Sequence, residues 1–246
     1  MPKSKTGIAT VIAIDGPAGA GKSTVAKELA RRLGFTYLDT GAMYRALTLK
    51  ALRQKFNLED EKALIELACK TSVELKTNKQ QEVRIFLDKE DVSEAIRSHE
   101  VTNNTFYMAR APQVREVMVD LQRKISSRRD IVVEGRDVGT VVFPDATYKF
   151  YLDADFEERA RRRIKELEEK GQQIEAQKLT QELKERDQKD FSRKVGPLKR
   201  ADDAIVIDST HLSIENTIEK IIQIIKSQKV KMSKRQTSRL IKPLTL

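Results

Sequence analysis

Residues 16–24, GPAGAGKST, combine three glycines, one lysine and two hydroxyl side chains in an order that suits phosphate chemistry. Gly16, Gly21, Lys22 and Ser23 complete the pattern G-x-x-x-x-G-K-[ST] between an apolar run and a helical pattern. The glycines let backbone N–H groups converge on phosphate oxygens at a positive helix end, Lys22 reaches the β- and γ-phosphates, and Ser23 is a ligand for Mg²⁺. The pattern predicts a site for a nucleoside triphosphate, with ATP expected. Its predicted ATP-binding residues are Gly16, Pro17, Ala18, Gly19, Ala20, Gly21, Lys22, Ser23 and Thr24.

A triphosphate site does not by itself define a reaction, because GTP-binding switches, motor ATPases and small-molecule kinases all use this loop. Guanine-specific switches read the base with N-K-x-D, and the nearest match, NKQQ at 78–81, lacks the aspartate. The paired acids after an apolar run that motor ATPases carry are not evident. The alternative without function is a glycine-rich turn that carries a surface lysine.

Three further segments combine arginine with carboxylate or hydroxyl residues: LDTGAMYR at 38–45, VEGRDVGTVVFPDA at 133–146 and ERDQKDFSR at 185–193. The first two follow predicted strands, and ligands collect at the carboxyl ends of strands in open α/β sheets. In the third, two arginines and an aspartate are spaced i, i+4 and i+7, so one helix face presents them. Guanidinium groups suit phosphate oxygens, and carboxylates suit ribose hydroxyls or a ring amino group. The residues singled out are Asp39, Thr40, Arg45, Glu134, Arg136, Asp137, Arg186, Asp190 and Arg193.

Two of these interpretations leave an alternative open. The helix face in 185–193 is also typical of ordinary solvent-exposed charge on a helix that is dense in both signs. Glu134 either orients a water on Mg²⁺ near the phosphate loop or is a strand-end acid in solvent.

Strands alternate with helices along the chain, which predicts an α/β fold with a parallel sheet covered by helices on both sides. ATVIAID at 9–15 is apolar and β-branched, as a buried central strand requires, and the helix after the phosphate loop is expected to end at Gly34. TYLDTGAMYRALTLKAL predicts a short strand, a turn at Gly41 and a helix. In 58–98, two alternating stretches separated by NKQQ indicate an antiparallel hairpin in a small inserted lobe.

The remaining elements follow the same alternation. Pro112 suits the first turn of a helix. The predicted elements are a helix over 112–129, strands in DIVVEGRD and TYKFYLDAD, a charged helical stretch over 156–193 interrupted at EKGQQ, a strand in AIVIDST and a closing amphipathic helix in LSIENTIEKIIQIIKS.

Composition narrows the class of protein. A chain of 246 residues with 39% hydrophobic and 34% charged residues is expected to be soluble and globular. No apolar run reaches the roughly 18 residues of a membrane span, and MPKSKTG has no apolar core behind its lysines. Cys69 is the single cysteine, which excludes an intramolecular disulfide and a thiolate-rich zinc site. A cytoplasmic location is expected.

The net charge of +10 raises the alternative of a nucleic-acid-binding ATPase. Most of this charge lies at the ends, because residues 226–246 hold seven basic side chains and no acid. Such a tail is typical of a solvated, mobile segment that adds weak, salt-sensitive attraction to polyanions. No membrane partner and no specific nucleic-acid partner is therefore expected.

The motifs IDGPAGAGKST, LDTGAMYR, VEGRDVGTVVFPDA, ERDQKDFSR and PLKRADDAIVIDST together resemble those of bacterial cytidylate kinases. The resemblance extends from about residue 8 to residue 226. It implies transfer of the γ-phosphoryl of ATP to CMP or dCMP, with Mg²⁺, by a chain that is usually monomeric. The acceptors that remain as alternatives are those of related small-molecule kinases, such as UMP, AMP or shikimate.

The resemblance also implies the P-loop nucleoside monophosphate kinase fold, with a parallel five-stranded sheet. It divides the chain into a CORE (about 8–57, 99–154 and 195–226), an NMP-binding insert (about 58–98), a LID (about 155–194) and the basic tail 227–246. In the bacterial branch the insert carries an extra sheet, which the hairpin would supply.

Residue by residue, the resemblance implies the following roles. Arg45, Arg136 and Arg193 are similar to phosphate ligands, Arg115 and Asp137 to cytosine-recognising residues, and Arg186 with Asp190 to ribose contacts; Asp39 and Thr40 complete the substrate-binding set. Arg159 and Arg163, one turn apart at the start of the LID, are expected on adenine or the ATP phosphates, with Arg161 and Arg162 as competitors. Lys22, Arg136 and Arg193 are the predicted catalytic residues.

One position departs from the pattern. Where relatives present a serine to the base, within NNTFYMARAPQVR, this chain has Phe106, with Thr105 as a neighbouring hydroxyl. CMP and dCMP are therefore both expected as acceptors, with UMP as an alternative.

Overall fold

A computed structural model describes residues 9–78, 83–127, 129–169, 171 and 175–240, without the side chains of residues 77 and 231–240. The strands are β1 (Val11–Asp15), β2 (Thr36–Asp39), β3 (Val73–Thr77), β4 (Val83–Leu87), β5 (Glu90–Asp91), β6 (Ile131–Gly135), β7 (Tyr148–Asp153) and β8 (Ile205–Asp208). The helices are α1 (Lys22–Leu33), α2 (Thr40–Arg53), α3 (Glu61–Cys69), α4 (His99–Arg110), α5 (Pro112–Ser126), α6 (Phe156–Glu169), α7 (Ala176–Ser192) and α8 (Ile214–Leu240).

Five strands form one parallel sheet in the order β2-β6-β1-β7-β8, which confirms the predicted α/β class and strand number. The strand with the apolar sequence, β1, lies at the centre. In the register, Asp39 lies beside Glu134, and Gly135 lies beside Asp15. The acidic ends of three neighbouring strands therefore meet at one edge of the sheet, where the phosphate loop leaves β1.

Two apolar cores, one on each face of the sheet, explain why β1 is apolar throughout. Ile12 and Ile14 pack with α1 and α8 on one face, whereas Ala13 packs toward α2 and α5 on the other. Both environments are fully buried, so alternation of polar and apolar residues is lost in this strand.

A second sheet, β3-β4-β5, is antiparallel and contains the pair predicted from the two alternating stretches. Most of the segment NKQQ between the pair lies outside the described residues. The strand β5 and the helices α3 and α4 were not predicted. The limits of the insert itself, 58–98, stay a prediction.

The charged stretch over 156–193 forms two helices, α6 and α7, as the interruption at EKGQQ predicts, although most of EKGQQ lies outside the described residues. Their amphipathic pattern leaves few apolar residues to bury, and a small cluster holds them to the sheet edge: Ala18, Ala160 and Leu183, with Phe156. The helices therefore depend on polar contacts for their position.

Two local predictions were wrong. The turn expected at Gly41 is absent, because α2 begins at Thr40 and the Asp39 carboxylate caps it by accepting from the Ala42 amide at 2.8 Å. The closing helix is longer than predicted, since the α8 backbone continues to Leu240. No helix in the described ranges is both long and apolar enough to cross a membrane.

Candidate functional site

The phosphate loop, residues 16–24, runs from β1 into α1 at the sheet edge. Gly16 passes so close to β7 that a Cβ there would lie 2.0 Å from the Leu152 carbonyl oxygen. Gly19 has a φ of +78°, and its Cβ would lie 2.9 Å from the Arg159 carbonyl oxygen. The N-cap of α1, Gly21, brings no side chain to the helix end. The first amides of α1 are therefore free of a side-chain cap, as an anion site at a helix N-terminus requires.

Lys22 is buried and folds back over this loop. Its Nζ donates to the Pro17 carbonyl at 2.7 Å. Burial, together with repulsion by Arg136, lowers the pKa of Lys22 to about 7. The carboxylates of Glu134 and Asp190 raise the pKa of the same ammonium group. Lys22 is therefore within electrostatic reach of residues at the end of β6 and on α7.

Arg159 supports the loop from behind. Its Nη1 donates to the Ala18 carbonyl at 2.9 Å and pairs with Asp187 on α7, and the Asp187 carboxylate accepts from the Ala18 amide at 3.3 Å. All three groups are buried. This position favours support of the loop over direct contact of Arg159 with adenine. Asp187 was missed, because no sequence spacing links it to residue 159 or to residue 18.

The other three arginines near the start of α6 take three different positions. Arg163 pairs with Glu166 at 2.7 Å, and its charge contributes to the field on Arg186. Arg162 donates to the Ser209 carbonyl at 2.6 Å, whereas Arg161 is exposed and pairs with Glu158. Of these three, Arg163 is thus the residue whose charge acts on Arg186.

Glu134 is buried, which excludes the interpretation as a strand-end acid in solvent. The Tyr37 hydroxyl donates to its carboxylate at 2.8 Å, and Ser23 makes a further hydrogen bond to it. Burial and the neighbouring Asp39 raise the pKa of Glu134, so a cation at this carboxylate is electrostatically favoured. Tyr37 was missed, since a strand tyrosine carries no distinctive pattern.

These groups fit Mg²⁺, which keeps several waters and takes one or two protein oxygens together with substrate phosphates. Ser23 and Glu134 supply one hydroxyl and one carboxylate beside the phosphate loop. Among the residues that the structure describes, no group of three or more His, Cys, Asp or Glu side chains is placed to hold a metal ion by itself.

The residues of the second strand end form a small network. Arg45 on α2 pairs with the Asp39 carboxylate at 2.8 Å. Burial alone would raise the pKa of Asp39, but Arg45 and the Ala42 amide outweigh it and hold the pKa below its usual range. The Thr40 hydroxyl donates to the Glu134 carbonyl at 2.8 Å and so fixes the start of α2 against β6.

Three arginines surround one carboxylate on the acceptor side, and we call this group the Asp190 cluster: Arg136, Arg186, Asp190 and Arg193. The Arg136 Nε donates to Asp190 at 2.7 Å, and Arg193 Nη2 lies 3.7 Å from the same carboxylate. Burial alone would raise the pKa of Asp190, but the three arginines hold it below its usual range. Burial and repulsion by Arg136 lower the pKa of Arg186 to about 10. One carboxylate thus balances three cations, and the cluster carries a surplus of positive charge.

Arg193 has buried donors without protein partners. Its side chain is buried, and its Nε and Nη2 make no hydrogen bond within the described residues. An unsatisfied buried guanidinium donor is costly. An anion that reached the cluster would satisfy these donors, and the burial that now lowers the pKa of Arg193 would then strengthen the contact.

Arg115 and Asp137 form a buried ion pair beside the cluster. The Arg115 guanidinium lies 5.8 Å from the centre of the Tyr44 ring, and its Nη1 donates to the Ala109 carbonyl at 3.4 Å. Gly196 closes the pair from the far side, since a Cβ there would lie within 2.4 Å of both side chains. A fixed donor and a fixed acceptor side by side match the edge of a polar ring. Tyr44 and Gly196 were missed, because their contacts are formed only in the fold.

Phe106 lies on α4, one helical turn before Ala109. The Lys189 Nζ of α7 lies 5.7 Å from its ring centre, and Arg110 lies 5.6 Å from it. The neighbouring Thr105 hydroxyl already donates to the Val101 carbonyl at 2.7 Å, which leaves it only as an acceptor. The base side of this chain therefore has an aromatic ring and a committed hydroxyl where the resemblance places a serine.

Comparisons with known proteins give the family of the chain. The family model described as cytidylate kinase matches residues 12–227. The cytidylate kinase of Caldanaerobacter subterraneus subsp. tengcongensis is 50% identical over 87% of this chain and 94% of its own length. That of Geobacillus sp. (strain WCH70) is 51% identical over 87% of this chain and 95% of its own length.

Solved structures give a more distant likeness. The shikimate kinase from Acinetobacter baumannii in complex with shikimate aligns with 93% of this chain and 99% of its own, at 18% identity and a TM-score of 0.43. A likeness of that size does not distinguish one acceptor from another. The family model and the relatives at about half identity make that distinction. The chain belongs to the cytidylate kinase family.

Proposed function

We propose that this protein transfers the γ-phosphoryl group of ATP to CMP and dCMP, giving ADP and the cytidine or deoxycytidine diphosphate. The observation that carries the proposal is that α7 joins the two sides: its Asp187 accepts from the Ala18 amide of the phosphate loop at 3.3 Å, and its Asp190 accepts from Arg136 at 2.7 Å. A donor site for polyphosphate and an acceptor site for a phosphate monoester thus adjoin one another. Membership of the cytidylate kinase family supports the cytosine nucleotide as acceptor.

On the donor side, the loop amides bind the ATP phosphates and Lys22 exchanges the Pro17 carbonyl for phosphate oxygens. Ser23 and Glu134 are the residues that would hold Mg²⁺. When bound, the ion would neutralise charge on the phosphates of ATP. Arg163 contacts ATP from the LID, whereas Arg159 acts through the loop that it supports.

On the acceptor side, Arg45, Arg136 and Arg193 bind the CMP phosphate. The unsatisfied Nε and Nη2 of Arg193 are the donors that support this assignment most directly. Arg186 and Asp190 contact the ribose, and the Arg115–Asp137 pair recognises the ring edge. Asp39 holds the Arg45 side chain in place by an ion pair, and Thr40 anchors the start of α2 to β6.

The reaction needs positioning and positive charge more than covalent help. The CMP phosphate is largely ionised at neutral pH, so its oxygen attacks the γ-phosphorus without a general base. The bond from the γ-phosphorus to the β–γ bridging oxygen breaks, and ADP takes the electron pair. Lys22, Arg136 and Arg193 stabilise the charge that spreads over the migrating group.

Exclusion of water follows from the position of α6 and α7. We assign residues 155–194 as a LID and 58–98 as the NMP-binding lobe, since α7 brings Asp187 to the phosphate loop and Asp190 to Arg136. His99 on α4 contacts Glu182 on α7 at 2.8 Å, so the proposed LID touches the CORE directly after the end of the NMP-binding lobe. A closed site prevents transfer of the phosphoryl group to water. We further propose a monomer in the cytoplasm.

The test is release of ADP with a panel of acceptors: CMP, dCMP, UMP, AMP and shikimate. Turnover with CMP or dCMP is expected to exceed that with the other acceptors, and to disappear when Mg²⁺ is chelated. Equal turnover across the panel would overturn the proposal. Deletion of residues 227–246 serves as a control for the nucleic-acid-binding alternative, because the kinase proposal requires turnover to be kept.

A further inference from the structure

Asp15 is a buried acid that the mechanism above does not use. It is the last residue of β1 and directly precedes Gly16, the first residue of the phosphate loop. Its side chain is buried, and both carboxylate oxygens accept from backbone amides: Oδ1 from Val138 at 2.8 Å and Oδ2 from Gly139 at 2.7 Å. One carboxylate thus joins the start of the donor loop to a second, distant segment.

That segment is a single π-helical turn over residues 138–142, which the sequence did not predict. It begins directly after Arg136 and Asp137. The ladder between β1 and β6 ends at the pair Asp15–Gly135, so strand pairing does not hold the residues that follow. The two bonds from Asp15 hold the turn at the point where the ladder stops, and they thereby fix the two acceptor residues in between.

The π-helical turn lies close to the Asp15 carboxylate. A Cβ on Gly139 would lie 3.3 Å from Asp15 Oδ2 and 3.2 Å from Lys149 Cδ, so a larger residue there would push these side chains back by a few tenths of an ångström. Burial raises the pKa of Asp15 to about 6, although both amide hydrogen bonds lower it. Charge-assisted bonds at two oxygens are the compensation for burying this carboxylate.

We propose that Asp15 is a positioning residue that sets the spacing between the phosphate loop and the acceptor residues Arg136 and Asp137. The inference rests on the proposed function, since it concerns the alignment of the two substrates. Each substrate keeps its own ligands when Asp15 is changed. The rate of transfer therefore depends on Asp15 more than the binding of either nucleotide does, because in-line transfer is sensitive to displacements of about 1 Å.

The test is Asp15→Asn, which keeps the shape but offers one acceptor oxygen instead of two. We expect kcat to fall about 30-fold, with KM for ATP and for CMP each changed by less than about 3-fold. Amide hydrogen exchange at residues 138 and 139 is expected to speed up. The matched control is Asp130→Asn, because Asp130 accepts from the Thr10 amide at 2.7 Å at the opposite end of the same two strands. That control is expected to keep kcat within about 2-fold.

Two results would overturn the inference: a kcat for Asp15→Asn within 2-fold of the wild type, or a loss of activity that matches only a loss of folded protein. If Asp15→Asn does not fold, Gly139→Ala is tested by the same measurements, since its methyl group crowds the contact with Asp15 Oδ2 and keeps the carboxylate. Turnover of CMP by the wild type is measured first. Its absence would overturn the proposed function, whereas an active wild type with an equally active variant would overturn only the role of Asp15.

Discussion

The donor and acceptor halves of the candidate site are built in opposite ways. The donor half is one continuous segment, residues 16–24, and its ligand groups are mainly backbone amides of a loop and a helix end. The acceptor half draws its side chains from α2, α5, α7 and the residues after β6, and three of its cations are already paired with carboxylates: Arg45, Arg115 and Arg136. The backbone thus binds the phosphate chain of one nucleotide, whereas side chains from several elements of the fold bind the whole of the other nucleotide.

The difference shows which half tolerates change. The backbone amides of the donor half have no side chain to replace, so Lys22 is its main mutable charge. In the acceptor half, Asp190 balances Arg136, Arg186 and Arg193 at once. Substitution of one of these four residues changes the charge balance of the other three. We therefore expect moderate losses of activity at several positions, and not one large loss at a single position.

Lys22→Met is expected to have the largest effect. The variant removes the side-chain cation of the donor half, so kcat falls about 10³-fold with every acceptor tested. The matched control is Lys27→Met, an exposed lysine on the same helix, which is expected to change kcat less than 2-fold. Steady-state release of ADP measures both. A Lys22→Met enzyme of normal kcat would end the assignment of the donor half.

Arg136→Lys should have the next largest effect. Lysine keeps the charge but lacks the guanidinium Nε that donates to Asp190 at 2.7 Å. We expect kcat/KM for CMP to fall about 10²-fold, while KM for ATP stays within about 2-fold. An equal rise in KM for ATP and CMP would show that the two halves are not separate in the way described.

The same contrast explains how much the sequence could predict. The donor loop, its flanking strand and helix, and the parallel sheet follow from local patterns: glycine spacing, apolar runs and the alternation of strands and helices. Arg136, Asp137, Arg186 and Asp190 were found because each sits in a short charged motif. These patterns are local, so they can be recognised without knowledge of the fold.

The missed residues share a different property. Tyr37, Asp187 and Gly196 act through partners at least 28 residues away in sequence. Asp15 was visible as the residue before the loop, but nothing in the sequence pairs it with residues 138 and 139. Long-range contacts of this kind depend on the register of the sheet, and a local pattern does not contain that register.

Phe106→Ser tests the base side, with a smaller expected effect. Serine restores the hydroxyl that the resemblance places near the ring, and one added hydrogen bond raises the preference for CMP over UMP about 10-fold. The control is Phe106→Ala, which removes the ring and adds no hydroxyl. The ratio of kcat/KM values for the two acceptors is the measurement. An equal ratio in the two variants would remove Phe106 from base recognition.

The last expected effect is a pH dependence confined to the donor half. With the loop empty, burial and Arg136 lower the pKa of Lys22 to about 7, so the amine is mostly neutral at pH 8. The ATP phosphates raise that pKa, and the complex therefore binds more protons than the free enzyme does. By linkage, ATP affinity falls several-fold per pH unit above pH 7, and binding at pH 8 takes up close to one proton.

Isothermal titration calorimetry in two buffers of different ionisation enthalpy measures this uptake directly. Lys22→Met should abolish it, whereas Arg136→Lys, which alters the acceptor half, should reduce it only slightly, because the second variant keeps a positive charge near Lys22. Equal binding enthalpies in both buffers for the wild-type enzyme would mean that Lys22 stays charged in the empty loop. The donor and acceptor halves would then differ only in whether backbone or side-chain groups bind the substrate. Protonation of Lys22 on ATP binding would not be part of that difference.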